Sequence, residues 1–170
     1  MTFDPQKSIE ILGRTPVVIS TMLSGLSGEW INSNEGPETW SPYDVVGHLI
    51  HCEETDWVPR MDIILSGGDK KFNRFDPTGH PKDNKPLAEL LEEFKQIRQK
   101  NVDYLRSKNL TAKHLRMTGI HPAFGEVTLA QLLSTWTVHD LNHISQIARV
   151  MAKQYKAEVG PWIEYLRILK

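Results

Sequence analysis

Residues 128–151, TLAQLLSTWTVHDLNHISQIARVM, run without glycine or proline, with Thr128 and Gln131 in capping-box spacing at the start. That pattern predicts one long helix. Steps of three and four residues pick out Leu129, Leu132, Trp136, His139, His143, Ile147 and Val150 as its inner side. Two histidines thus stand where the periodicity expects core residues. Imidazole is costly to bury without partners, and two of them one turn apart can be satisfied together by a metal ion.

Other start and stop signals divide the rest of the chain. Asp4-Pro5 and Thr15-Pro16 each read as a cap followed by proline, so residues 5–26 form one irregular helix or two short ones, with Ile9, Leu12, Val17, Met22, Leu23 and Leu26 as the apolar side. A loop over 32–40 leads to Ser41-Pro42-Tyr43-Asp44, which starts a second helix. Pro59 should kink it or end it near Val58, and Met61, Ile63, Ile64 and Leu65 suggest that it resumes. Residues 66–85 are rich in turn residues and read as a long loop able to cover a site. A third helix runs from Pro86 to near Lys108, with Leu87, Leu90, Leu91, Phe94, Ile97 and Leu105 spaced for burial. Residues 109–127 read as an irregular connection with a short extended piece near 115–118. A final short helix from Pro161 should dock through Trp162, Tyr165, Leu166 and Leu169. Four main helices and this end piece predict an all-α four-helix bundle with long connecting loops and a short C-terminal helix, as one domain over 1–170.

The second helix supplies a third histidine. Val45, Leu49, Cys52 and Asp56 mark one side, with His48 at its edge and His51 pointing roughly the opposite way. A turn-spaced pair on one helix and a single histidine from a neighbour make an economical three-ligand site with open coordination positions. The plainer reading is a set of core-edge imidazoles bonded to carbonyls or water. Asp44, Thr135 and Gln146 stand where they could hold the other ring nitrogens, but a helix-start charge, a solvated hydroxyl and an exposed amide explain them as well. Asp140 is about 100° around the helix from His139 and makes a poor fourth ligand. His80, His114 and His121 fall in loops as ordinary exposed imidazoles. Tryptophans 30, 40, 57, 136 and 162 read as mainly core, with Trp136 able to wall a pocket near the histidines.

Composition limits the chemistry. A single cysteine, Cys52, excludes an internal disulfide and multi-cysteine metal sites, so a metal would rest on histidines and carboxylates. Cys52 itself reads as a small buried filler, with nucleophile or soft ligand as the alternatives. A net charge of −1 gives no electrostatic case for nucleic acid or an anionic membrane surface. No apolar run approaches a bilayer span and the N-terminus has no signal-peptide layout, so a cytoplasmic protein is expected.

The segments WSPYDVVGHLIHCEETDW and HPAFGEVTLAQLLSTWTVHDLNHISQIARV together resemble the DinB-like, or YfiT-like, superfamily of metal-binding four-helix bundles. The resemblance implies a divalent metal, commonly nickel or zinc, on a three-histidine site whose matching positions are His48, His139 and His143. It also implies a small-molecule reaction. Some relatives are S-transferases or isomerases that use low-molecular-weight thiols, and others are assigned as metal-dependent hydrolases. Three functions follow as expectations: metal-activated thiol transfer; hydrolysis with Glu53 or Asp56 as proton shuttle, unless these are plain solvated helix charges; or a non-enzymatic metal-binding module. Arg60, Arg74 or Arg149 could hold an anionic cosubstrate, though each also reads as a surface charge. A homodimer is expected from an apolar helix face left outside the bundle.

Overall fold

The computed structural model describes residues 2–76 and 85–170 and is helical apart from one β-hairpin. Four long helices dominate: α1 (Pro5–Leu23), α3 (Pro42–Thr55), α5 (Leu87–Ser107) and α7 (Leu129–Lys153), with the short α2 (Gly28–Asn32), α4 (Trp57–Leu65) and α6 (Ala112–Leu115) between them. Helix α1 packs on α5 and α7, and α3 packs on the same two, so the expected four-helix bundle forms with α1 diagonal to α3.

The helix starts follow the sequence signals. The Asp4 carboxylate accepts from the Gln6 amide at 2.9 Å, and Ser41 with Asp44 and Thr128 with Gln131 close reciprocal capping boxes. Pro16 does not split α1, which is a single helix. Proline has no N–H to give the carbonyl four residues back. That carbonyl, on Leu12, instead accepts from Arg98 Nη1 of α5 at 3.0 Å.

Pro59 acts differently from expectation. The second helix breaks at Asp56 (φ −114°, ψ −71°), and Pro59 lies in the first turn of α4. A first-turn residue needs no backbone donor, so breaking three residues early places the proline where it costs least.

The connection over 109–127 is also more ordered than its sequence suggests. It holds α6 and an antiparallel hairpin of β1 (Thr118–His121) and β2 (Gly125–Thr128), with Thr118 opposite Thr128. Residues 70–72 of the long loop lie along β1: the Ile120 amide donates to the Lys70 carbonyl at 2.7 Å, and the Phe72 amide donates to the Ile120 carbonyl at 2.9 Å. Gly119 makes this approach possible, because a Cβ there would fall 2.7 Å from Cζ of Phe72 and 2.9 Å from Cγ1 of Ile64. The C-terminal piece is two 3₁₀ turns, Gly160–Tyr165 and Arg167–Leu169. Only Leu169 of the expected stripe docks; Trp162 and Tyr165 are exposed, so Trp162 is not a core residue.

Two apolar clusters build the core. One gathers Leu12, Trp57, Met61, Leu129, Leu133 and Trp136, and the other Ile19, Leu23, Val45, Leu49, Phe94 and Ile147. Burying each large side chain contributes about 1.5–3 kcal/mol. Polar residues stand between or beside the clusters on each long helix: Thr15 on α1, His48 on α3 next to Leu49 and one turn before Cys52, Arg98 on α5, and His139 to His143 on α7. Among the described residues, no helix is long and apolar enough to cross a membrane.

Candidate metal centre

The polar residues between the two clusters include three histidines whose rings meet. Nε2 of His139 lies 3.2 Å from Nε2 of His48 and 3.1 Å from Nε2 of His143. One ring nitrogen from each residue falls within 4.8 Å of the others. His48 and His143 are buried and His139 is half-buried. Helical geometry sets this up: His139 and His143 stack one turn apart on α7, and His48 faces them because Val45 and Leu49 commit that side of α3 to the core.

The donor set suits a cation. Nδ1 of His143 donates to Oε1 of Gln146 at 2.7 Å, which leaves Nε2 of His143 a bare acceptor facing the cluster. A proton on Nε2 of His139 points at one neighbour at a time and leaves its Nδ1 bare. That Nδ1 is buried and has no partner among the described residues. A positive ion on the three Nε2 lone pairs relieves the crowding of the Nε2 atoms, with the His139 proton then carried on Nδ1. Burial, and then the neighbouring His143 and His48, push the pKa of His139 down to about 3, and burial lowers His143 as well despite the help of Gln146. Both rings are therefore neutral at physiological pH, the form that binds metal.

A family model described as the DinB superfamily matches residues 11–147. The chain belongs to the DinB superfamily. Among solved structures it is similar to YfiT from Bacillus subtilis, described as a probable metal-dependent hydrolase with an unusual four-helix bundle topology. That likeness has a TM-score of 0.75 at 18% identity and covers 88% of this chain and 86% of YfiT. Compared with curated proteins by sequence, the chain has no match.

Aromatic rings wall the histidine cluster. Trp40 lies 4.5 Å from the His48 ring and 6.1 Å from that of His143, Trp57 meets His139 edge-on at 5.1 Å, and Phe75 approaches His48 at 6.1 Å. Trp136, the ring the sequence puts nearest the site, instead stacks on Trp57 at 6.1 Å as core. The described part of the 66–85 loop reaches the site through Phe75, which stacks on His51, while Nε2 of His51 donates to the Asp76 carbonyl at 3.0 Å. His80 lies outside the described residues. His114 closes a capping box with Thr111, and His121 stacks on Phe124 at 4.4 Å; neither joins the cluster.

The candidate orienting residues divide. Gln146 holds His143, whereas Asp44 serves the Ser41 cap and Thr135 donates to the Gln131 carbonyl at 2.8 Å. Asp140 faces away from the histidines, toward Arg98.

The carboxylates expected at the helix surface are buried. Glu53 accepts from Arg98 Nη2 at 2.8 Å, Trp136 Nε1 at 2.9 Å and Asn101 Nδ2 at 2.9 Å. Arg98 also pairs through both terminal nitrogens with Asp140, and all of these side chains are buried. Asp56 is buried beside Arg60, with Nε to Oδ1 at 2.6 Å, in an alignment that makes an ion pair but no hydrogen bond at Oδ1. Burial raises its pKa to about 6 even against Arg60. Neither acid is a solvated helix charge.

One of the arginines needs the same revision. Arg60 is buried, with its guanidinium 5.3 Å above the Phe72 ring. Arg149 is committed to Glu35 at 2.7 Å, while Arg74 is exposed. Arg98 and Asn101 escape the sequence reading because the apolar stripe of α5 can equally be stepped through Ile97. The signal is the spacing Phe94, Arg98, Asn101, Leu105, which sets two polar residues on the inner side.

Proposed function

We propose that this chain is a divalent-metal-dependent enzyme of the thiol-dependent S-transferase type, in which His48, His139 and His143 hold zinc or nickel. The observation that carries the reading is the meeting of three Nε2 atoms, 3.1 and 3.2 Å apart across His139, beneath an aromatic wall. When bound, such an ion lowers the pKa of a coordinated thiol or water and supplies a nucleophile near neutral pH. Imidazole donors suit zinc and nickel.

The protein's own groups favour the thiol. Water attack calls for a carboxylate to move protons, and Glu53 is occupied by Arg98, Trp136 and Asn101. A thiol ionised at the ion needs no such base. Trp40, Trp57 and Phe75 exclude water around the histidines, and Gln146 fixes the tautomer of His143. The test is metal-dependent consumption of low-molecular-weight thiols with electrophilic acceptors. Turnover by the metal-loaded protein that is lost in His143→Ala supports the proposal, and no consumption across several thiol classes defeats it.

A second reading, hydrolysis, rests on Asp56, whose pKa of about 6 suits proton exchange near neutrality. Metal-dependent ester or amide hydrolysis abolished by Asp56→Asn would favour it. In either reading we propose a homodimer, supported by exposed Val17 of α1 and by Val138 and Leu141 of α7. A monomeric mass by light scattering removes that part.

A further inference from the structure

Among the described residues two arginines are buried, and their surroundings differ. Arg98 gives both terminal nitrogens to protein acceptors: the Leu12 carbonyl, Glu53 and Asp140. Arg60 of α4 is 8% exposed, and its Nε stands 2.6 Å from Asp56 Oδ1 as an ion pair. No described residue accepts a hydrogen bond from its guanidinium, and its nitrogens are not sealed from solvent as Nε of Arg98 is. A guanidinium carries five N–H donors in a planar fork that matches a carboxylate. Asp56 balances the charge of Arg60 but leaves that fork open.

The fork lies beside the histidine cluster. Contacts run in four-residue steps along α3 and into α4: Cys52, buried in the core with Leu12 and Trp57, has Sγ 3.4 Å from Nε2 of His48, and Arg60 pairs with Asp56 one turn further on. Side chains on a helix lean toward its N-terminus, so Arg60 leans back toward the histidines. Phe75 joins the two, with its ring 5.9 Å from the Arg60 guanidinium carbon and 6.1 Å from the His48 ring. Phe72 packs on the same guanidinium at 5.3 Å. Rings so placed exclude water, which strengthens a charged hydrogen bond made at the guanidinium edge.

We propose that Arg60 is a specificity residue whose Nη1 and Nη2 take a carboxylate of the thiol or of the electrophilic acceptor, while the reacting atom lies at His48, His139 and His143. This rests on the metal-dependent transfer reading and names its substrate class: an anion with a carboxylate remote from the reacting centre. The path past Phe75 suits a molecule of two or three residues, about 7–11 Å long when extended. A compact neutral thiol such as 2-mercaptoethanol is too short to reach Arg60 and gains nothing from it.

Calorimetry on the zinc-loaded protein provides the test, with N-acetylcysteinylglycine and its C-terminal amide as matched probes. Both offer the thiol, and only the acid offers a carboxylate. Wild type is expected to bind the acid about 10–100-fold tighter than the amide, the range of a hydrogen bond to a charged group. Arg60→Lys keeps the charge without the fork and should lose most of that preference. The double variant Asp56→Asn, Arg60→Gln removes both charges of the pair together and should bind acid and amide alike, with zinc content and helical circular dichroism unchanged. Equal binding of acid and amide by wild type overturns the proposal, as does a preference that survives in the folded double variant. N-acetylalanylglycine and its amide, which lack the thiol, locate the carboxylate. Discrimination confined to the cysteinyl pair assigns it to the thiol, and discrimination in both pairs is what a carboxylate on the acceptor requires; either supports Arg60. Acid preference in the thiol-free pair with no gain from the thiol defeats the transfer reading and leaves the Arg60 site standing. Thiol-dependent binding with no acid preference does the reverse.

Discussion

Glu53 of α3 accepts the indole N–H of Trp136 of α7 at 2.9 Å, and the same oxygen takes Arg98 Nη2 of α5 at 2.8 Å. Glu53 lies five residues after His48 and Trp136 precedes His139 by three, so this buried knot fixes the two histidine-bearing helices against each other. Arg98 also satisfies the Leu12 carbonyl freed by Pro16, which adds α1 to the joint. Removing the arginine strands two buried carboxylates.

Arg98→Met is therefore expected to destabilise the protein by about 3–5 kcal/mol, the usual cost of breaking a buried ion pair from one side. Urea unfolding of the metal-free protein measures it. A loss below about 1 kcal/mol would mean that the knot contributes little to holding α3 against α7.

The pH dependence of the metal-free protein carries two opposite signatures. An unfolded histidine titrates near about 6.5, and folded His139 near about 3. Between these values the unfolded state binds more protons, so stability present above about 6.5 is lost as pH falls toward 3. Asp56 works the other way: its folded pKa of about 6 exceeds the ordinary 3.8, so its contribution is full below about 3.8 and lost as pH rises through 6. Denaturation across this range should show a flatter acid limb in His139→Asn and a steeper one in Asp56→Asn. Slopes that match wild type in both variants would contradict the two assignments.

Gln146→Leu keeps all three histidines but removes the acceptor at Nδ1 of His143. Losing such an orienting partner typically lowers metal affinity 10–100-fold. Chelator competition reads this directly, and an unchanged affinity would reduce Gln146 to a surface amide.

Two glycines should respond with opposite signs. Gly119→Ala forces Phe72 or Ile64 aside beneath the Arg60 guanidinium and should cost about 1–3 kcal/mol. Gly13, exposed within α1 with nothing near its missing Cβ, should gain about 0.5–1 kcal/mol as Ala. Thermal unfolding of both variants, with their order reversed, would contradict the packing described around β1.

The bundle and the histidine set were legible because both rest on helical periodicity. The core positions of α7 are reserved by Leu129, Leu132, Trp136, Ile147 and Val150, so His139 and His143 stand out, and proline-led caps place α3 well enough to choose His48 over His51. Features set by contacts between distant segments were not legible. Arg98 looks like an ordinary helix charge until Glu53, Asp140 and Leu12 surround it, and four-residue strands such as Thr118–His121 carry too little alternation to register. Pro59 misled for a local reason, since a helix can restart just ahead of a proline as easily as it can kink at one.

The most direct measurement is the metal content of purified protein after reconstitution, for wild type, His48→Ala and His143→Ala. One zinc or nickel ion per wild-type chain, with both variants losing most of it while keeping wild-type helical content by circular dichroism, is the predicted result. Wild-type protein that binds no divalent ion, or a folded His143→Ala that keeps a full equivalent, would contradict a metal centre on His48, His139 and His143.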